Sequence, residues 1–129
     1  MQKVPAPSVV LWLDQQPAES VWITSITLFE TRLGLALLPS GRRRQALDAA
    51  FEQLLAEDLE DRVLDFDRPA AEAAARLAAE RQRSGRYVDM RDTQIAGIVI
   101  ARRAKLATRN VKHFADLTAE VVNPWEVKR

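Results

Sequence analysis

An acid near the start of a helix is the first sign of chemistry in this chain. Asp92 lies one helical turn before Ile95 and Val99, so at 3.6 residues per turn it projects from the face that the helix must bury. Burying an isolated charge is strongly unfavourable. We therefore expect Asp92 to have a cation, a cluster of hydrogen-bond donors or a metal ion as its partner.

The same placement occurs at Glu30, which shares a helical row with Ile26, Leu33 and Leu37. Two separate helices thus each carry one acid on an apolar face near the first turns. We expect the two carboxylates to meet, with oxygens on the order of 5–8 Å apart, close enough to share an ion or its hydration shell.

Length and composition favour one globular domain over residues 1–129. The chain has a net charge of +1 and 47% hydrophobic residues. It has no cysteine, and this excludes disulfides and thiolate metal sites. No apolar stretch is long enough to span a bilayer, and the first residues lack the pattern of a signal peptide. A soluble, cytoplasmic protein is expected. Arginines are frequent between residues 81 and 109, and for any single one of them a solvated helix face is the favoured interpretation.

Strand and helix patterns alternate along the chain. Helices are predicted over residues 8–16, from an N-cap at Ser25, around residues 47–55, from Asp67 to about Ser84 with a stop at Gly85, around Asp92, and near 112–114. Strands are predicted at 20–24, 63–66, 105–108 and 120–122. This alternation is typical of α/β proteins with a parallel sheet and helices on both faces.

In such a sheet the ligand site lies beyond the carboxyl ends of the strands. Glu30 and Asp92 are both expected there, and so is Asn110, which follows the strand ending at Thr108. Two carboxylates and an amide form an oxygen-ligand site suited to Mg²⁺ or Mn²⁺.

Six segments together carry a resemblance to a known family. They are ITSITLFE (23–30), LGLALLPSGRRR (33–44), LDFD (64–67), DTQIA (92–96), LATRNVKHF (106–114) and NPW (123–125). In this order they resemble a PIN-domain protein, and within that family the VapC or FitB-like ribonuclease toxins of bacterial toxin–antitoxin modules. The resemblance covers essentially the whole chain.

The resemblance implies a three-layer α/β/α fold in which Glu30 and Asp92 are metal-binding and catalytic acids. A further acid is common in the family where this chain has Asn110. The family also begins with a central strand that ends in a catalytic Asp, whereas this chain begins with MQKVPAP. The first strand is therefore expected to be missing.

The implied activity is hydrolysis of RNA phosphodiester bonds with Mg²⁺ or Mn²⁺, held in check by an antitoxin protein. The chain is also expected to form a homodimer. The alternative is a catalytically inactive, truncated module that binds the antitoxin or itself. Two metal-bound acids and a water-orienting Asn110 would carry the reaction.

Other candidate residues keep two interpretations each. Thr108 and Arg109 could contact the substrate backbone, or be a strand end and a solvated side chain. Asp89 could be a second metal ligand, although a helix N-cap is the favoured interpretation. His113, the single histidine, is expected on the surface. Three tryptophans are expected to pack as core or interface anchors, at positions 12, 22 and 125.

Overall fold

The computed structural model describes residue 11 and residues 15–124. The helices described there are α1 (Ser25–Ala36), α2 (Arg42–Gln53), α3 (Arg68–Arg83) and α4 (Met90–Arg102). Short 3-10 turns span Ala18–Ser20 and Val111–Phe114, and one π-helical turn, Leu54–Asp58, extends α2. The predicted helix at residues 8–16 falls largely outside the described residues, as do Trp12 and Trp125.

The described strands form two parallel pairs. Strand β1 (Ile23–Thr24) pairs with β2 (Val63–Leu64), and β3 (Leu106–Ala107) pairs with β4 (Val121–Val122). Within residues 15–124 these pairs are not hydrogen-bonded to each other. The described strands are parallel, as predicted, but they form two separate pairs rather than one sheet.

The N-cap of α1 is Thr24 rather than the predicted Ser25. The Thr24 hydroxyl accepts a hydrogen bond from the backbone N–H of Thr27 at 3.0 Å. The Ser25 hydroxyl instead accepts one from the backbone N–H of Phe66 at 3.0 Å. Ser25 therefore ties the first turn of α1 to the chain that leaves β2.

Helix α3 begins and ends as its sequence predicts. The Asp67 carboxylate accepts a hydrogen bond from the backbone N–H of Ala70 at 3.1 Å, which makes Asp67 the N-cap. Ser84 ends the helix, and Gly85 follows with φ +74°, a left-handed conformation that glycine adopts without steric cost.

Helices α3 and α4 make the most extensive helix contact in the described fold. A Cβ placed on Gly97 would lie 2.4 Å from the carbonyl oxygen of Ala70 and 2.7 Å from the Cβ of Ala74. Small residues on both helices thus let the two backbones approach each other. This contact fixes the position of α4, the helix that carries Asp92.

The buried apolar residues form two clusters. The first contains Leu77, Ile95, Ala96, Val99 and Phe114, and packs against side chains of β3 and β4. The second contains Leu35, Phe51, Leu55 and Leu59, and packs against the first strand pair through Ile23. Helix α1 contributes to both, since Ile26 contacts the first cluster and Leu28 the second. We refer to them as the α4 cluster and the α2 cluster.

Several large apolar side chains lie on the surface. Leu37, which was placed on the apolar row of Glu30, is 75% exposed because α1 ends at Ala36. Leu54 is 40% exposed, where the chain changes from α-helix to a π turn and the helical row shifts. Trp22 is also half exposed. In the described part of the chain, no helix has both the length and the apolar character to cross a membrane.

Replacing Gly97 by Ala should destabilise the protein by about 1–3 kcal/mol, because the added methyl meets the backbone of α3 and the helices must separate. Urea denaturation followed by circular dichroism measures the change. Gly34→Ala is the matched control, since a Cβ on Gly34 of α1 meets nothing within 4 Å. That control should gain about 0.4–1 kcal/mol, and equal effects of the two substitutions would contradict the close contact.

Candidate functional site

Asp92 lies in the first turn of α4, three residues after the N-cap Asp89. The Asp89 carboxylate accepts a hydrogen bond from the backbone N–H of Asp92 at 2.9 Å, so Asp89 is the N-cap. This outcome agrees with the favoured interpretation of Asp89 as a cap. The positive end of the helix dipole also stabilises an ionised carboxylate at Asp92.

The direct partner of Asp92 is His113. Its Nδ1 lies 2.6 Å from Oδ2 of Asp92, and the Asp92 side chain is 19% exposed. The need of Asp92 for a partner was predicted, but the identity of that partner was not. His113 is exposed, as expected, yet it is not merely a solvated side chain. It joins the turn after β3 to the N-terminus of α4.

Arg81 is the buried residue on which this arrangement rests. Its guanidinium donates hydrogen bonds to both carboxylate oxygens of Asp116, at 2.8 and 2.9 Å. It also donates to the Thr93 hydroxyl at 3.1 Å and to the carbonyl of His113 at 2.9 Å. Arg81 is only 5% exposed, so the expectation of a solvated arginine is wrong here.

The charges of this pair are mutually stabilised. The hydrogen bonds from Arg81 lower the pKa of Asp116, against an opposing effect of burial, and the nearby charges of Arg81 and Arg86 lower it further. The pKa of Arg81 is raised, chiefly by its hydrogen bonds to Asp116 and in part by the charge of Asp92. Both groups therefore remain ionised around neutral pH.

Glu30 contacts a different side chain of α4. Oε2 of Glu30 lies 3.6 Å from Nη1 of Arg91, and the Arg91 guanidinium lies 5.2 Å from the ring centre of Phe29. The Glu30 side chain is 39% exposed, so it is less buried than its helical row predicts. Arg91 supplies the cation that an acid beside α4 requires.

Glu30 and Asp92 contact different groups at the N-terminal part of α4. Glu30 contacts Arg91, whereas Asp92, the next residue of α4, contacts His113. Neighbouring residues of a helix point about 100° apart. Arg91, which binds Glu30, and Asp92 therefore leave the helix axis in different directions. Contact between α1 and α4 nevertheless brings Glu30 to the N-terminal part of α4. An ion shared by Glu30 and Asp92 stays a prediction.

The other predicted residues lie in the segment after β3. The backbone N–H of Thr108 donates to the carbonyl of Val122 at 2.9 Å, and the Thr108 hydroxyl accepts from the backbone N–H of Asn110 at 3.1 Å. Asn110 precedes the 3-10 turn and its carbonyl accepts from the N–H of His113 at 3.0 Å. Arg109 and Asn110 are both exposed. Their roles toward metal or substrate stay predictions.

A cavity of about 330 Å³ opens beside Asp92. Its lining combines three cations, two acids, an imidazole and a phenol, contributed by Arg81, Arg86, Tyr87, Asp89, Asp92, Lys112 and His113. The cavity lies between the N-terminus of α4 and the turn after β3. It is therefore at the edge where the sequence predicts a site.

A comparison with protein-family models identifies the family of this chain. The PIN domain model matches residues 5–119, which is most of the chain and includes both acids and the turn after β3. The chain belongs to the PIN-domain family.

Similar proteins of this family carry related names. The chain is 35% identical to the plasmid stability protein StbB of Pseudomonas syringae pv. tomato, over 97% of this chain and 90% of that protein. It is 34% identical to the VapC ribonuclease Y4jK of Sinorhizobium fredii, over 95% of this chain and 87% of that protein. The predicted resemblance to VapC and FitB-like PIN proteins is confirmed.

A solved structure of this type matches the fold closely. The structure of FitAB bound to an IR36 DNA fragment superimposes with a TM-score of 0.88 at 31% identity, over 99% of this chain and 90% of the matched chain. The predicted α/β PIN fold is likewise confirmed.

Sequence reasoning about this PIN domain missed Arg81 and underrated His113. Arg81 continues the helical row of Ala70, Ala74 and Leu77, all of which are buried, and this is the same signal that drew attention to Asp92. A cation on an apolar row needs an acid partner just as an acid needs a cation. No such local signal identifies His113, because its contact joins positions 21 residues apart.

Asp116→Asn should lower the free energy of unfolding by about 1–3 kcal/mol near neutral pH. The free energy of unfolding should also depend less on pH in this variant. Folding lowers the pKa of Asp116 below its ordinary 3.8. The contribution of Asp116 to the free energy of unfolding is therefore complete above that value and is lost as the pH falls through the pKa of the folded state. Urea denaturation from acid to neutral pH measures it. Asp48→Asn, which alters an acid in a loose pair with Arg44 at 3.9 Å, should leave the profile unchanged, and identical profiles for both variants would contradict the role of Asp116.

Proposed function

We propose that this PIN domain is a metal-dependent endoribonuclease toxin that hydrolyses RNA phosphodiester bonds. The observation that carries the proposal is Asp92, an acid held at the N-terminus of α4 beside a cavity whose lining has three cations. Cations beside an acid suit a substrate with a phosphate backbone. The ribonuclease name of the relative Y4jK supports the same reaction class.

The acids present fit a divalent cation in kind. Mg²⁺ commonly binds through one or two carboxylates, keeps several waters and takes further oxygens from substrate phosphates. Asp92 and Glu30 would hold the ion, directly or through water, and the Asn110 amide would orient a bound water or the phosphate. When bound, Mg²⁺ or Mn²⁺ polarises the phosphate and makes a water nucleophilic.

The chain's own residues orient this site. His113 holds Oδ2 of Asp92, while Oδ1 accepts no hydrogen bond from the described residues and stays open to a ligand. Arg81 fixes the backbone of His113 and the side chain of Thr93. Rotation of Asp92 is thereby restricted, which reduces the entropy lost when a ligand is bound. Thr108 and Arg109 follow β3 at the same edge and could contact the RNA backbone.

A second candidate is an inactive module that binds an antitoxin. One observation favours it: within residues 15–124, no three His, Asp or Glu side chains are grouped so that they could hold a metal. In addition, Glu30 already contacts Arg91, and Asp92 already contacts His113. The activity test below separates this candidate from the nuclease.

The proposed partners are RNA, an antitoxin protein and a second copy of the chain. An antitoxin would place an arginine against the carboxylates of Asp92 and Glu30. The exposed apolar side chains Trp22, Phe29 and Leu37 offer surface for a homodimer. RNA as substrate implies action in the cytoplasm.

Asp92→Asn and Glu30→Gln should each lower the rate of RNA cleavage at least about 100-fold, because each removes charge that would hold the metal. Cleavage of an end-labelled single-stranded RNA is measured with Mg²⁺, with Mn²⁺ and with EDTA. Asp48→Asn on α2 is the matched control. If the wild-type chain cleaves no RNA with either metal while binding an antitoxin, the inactive module is correct.

The chain should be a dimer at micromolar concentration by light scattering. Leu37→Ser should shift the equilibrium toward monomer by removing apolar contact area while leaving the fold intact, since Leu37 is 75% exposed. Ala36→Ser, an exposed neighbour with a smaller side chain, serves as control. A monodisperse wild-type monomer that is folded by circular dichroism would refute the homodimer.

A further inference from the structure

Another cavity lies at the end of α4 that is remote from Asp92. Its volume is about 340 Å³, close to that of the cavity beside Asp92. Its walls come from the end of α4 and from the two chain segments that lead into β3 and β4. Asp92 and Arg102, the last residue of α4, are about 15 Å apart along a helix that rises about 1.5 Å per residue. The proposed nuclease site therefore does not account for this cavity.

The floor of this cavity is apolar and belongs to the core. Val99 is only 3% exposed and is a member of the α4 cluster, against which Ala104 and Ala119 also pack. The backbone N–H of Ala104 donates a hydrogen bond to the carbonyl of Val99 at 3.0 Å. Ile100 lines the same cavity and is 39% exposed. An apolar group of a ligand would thus contact surface that the core already holds in place.

The charges around this floor leave one cation available. Lys105 lies 3.4 Å from Glu120, so these two lining residues compensate each other. Arg103 is exposed and lines the cavity, and its guanidinium has no partner in the part of the chain that the structure describes. The cavity therefore presents a net positive charge beside an apolar floor, which complements an anionic group.

The backbone of Arg103 is unusual for an arginine. Its φ of +52° and ψ of +44° are left-handed, a conformation in which glycine is the usual residue at a helix end because a Cβ is unfavourable there. The helix dipole does not explain the choice of arginine, since Arg102 already places a cation in the last turn of α4. A strained position that carries a long cationic side chain at a cavity indicates a role for that side chain.

We propose that this cavity binds a small organic carboxylate with an apolar body. In this arrangement the carboxylate accepts hydrogen bonds from the Arg103 guanidinium, and the apolar body covers Ile100 and Val99. A guanidinium can bind a carboxylate through two parallel N–H groups, which also fixes the orientation of the ligand.

The size of the cavity favours a free small acid. Its volume of about 340 Å³ is at the lower end of small-ligand pockets, which measure about 300–1,000 Å³. The ligand site goes beyond the proposed nuclease function, and neither of the two depends on the other.

Binding of phenylbutyrate to the full, isotope-labelled chain, followed by NMR, tests the site. With millimolar ligand the backbone amide signals of Ala104 and Ala119 should shift, whereas the signal of Asp92 should not. Phenylbutanol, which has the same apolar body without the charge, should bind at least about tenfold more weakly because the charged hydrogen bonds are lost. Butyrate, which lacks the ring, should also bind more weakly because it covers less apolar surface.

Substitutions at Arg103 separate the ligand contact from the fold. Arg103→Gln should weaken the Kd for phenylbutyrate at least about tenfold. Arg103→Gly should weaken binding equally without lowering the midpoint of urea denaturation, because glycine adopts the left-handed conformation without steric cost. Arg43→Gln is the charge control, since Arg43 is an exposed arginine of α2 outside this cavity, and it should bind like the wild type.

The carboxylate site would be overturned by unshifted signals of Ala104 and Ala119 in the wild type. Equal Kd values for phenylbutyrate and phenylbutanol would also overturn it, as would wild-type binding by Arg103→Gln. If a short peptide that ends in a phenylalanine carboxylate bound more tightly than phenylbutyrate, the cavity would be a site for a chain end instead of a small acid.

Discussion

The ion pair between the buried Arg81 and the partly exposed Asp116 is the interaction on which the site depends. One guanidinium joins helix α3, the start of α4 through Thr93, and the turn after β3 through the His113 carbonyl. Breaking this pair leaves the buried Arg81 guanidinium without its carboxylate, which costs about 1–3 kcal/mol. In this protein the same loss would also release the segment that places His113 against Asp92. Stability and site geometry are thus coupled through one side chain.

Local signals in the sequence predicted most of the helical framework. Asp67 and Asp89 act as N-caps, and Gly85 follows the end of α3. Each of these features is decided within about one helical turn, where side-chain spacing and cap chemistry dominate. The PIN resemblance was equally visible, because it depends on the order of short motifs.

Features decided by distant contacts were harder to predict. The pairing of strands into two halves, the contact of Ser25 with Phe66, and the choice of His113 as partner of Asp92 all join residues far apart in sequence. The placement of Asp92 in the first turn of α4 was predicted, whereas a joint role of Glu30, Asp92 and Asn110 as a site stays a prediction. The contact partners of the two acids were not predicted, since composition shows which charges exist but not which of them meet.

The core is divided into two clusters, and the distance between Glu30 and Asp92 depends on how these clusters are placed relative to each other. Asp92 is carried by the α4 cluster, whereas α1, which carries Glu30, places Leu35 in the α2 cluster. Because α1 packs on both clusters, through Ile26 and Leu35, a displacement of one cluster against the other would move Glu30 relative to Asp92. Phe114, which follows His113, belongs to the same cluster as α4. Local openings of a protein follow such cooperative units. A molecule that binds across both clusters would therefore fix the spacing of the two carboxylates, and one that separates the clusters would change that spacing without contacting either carboxylate.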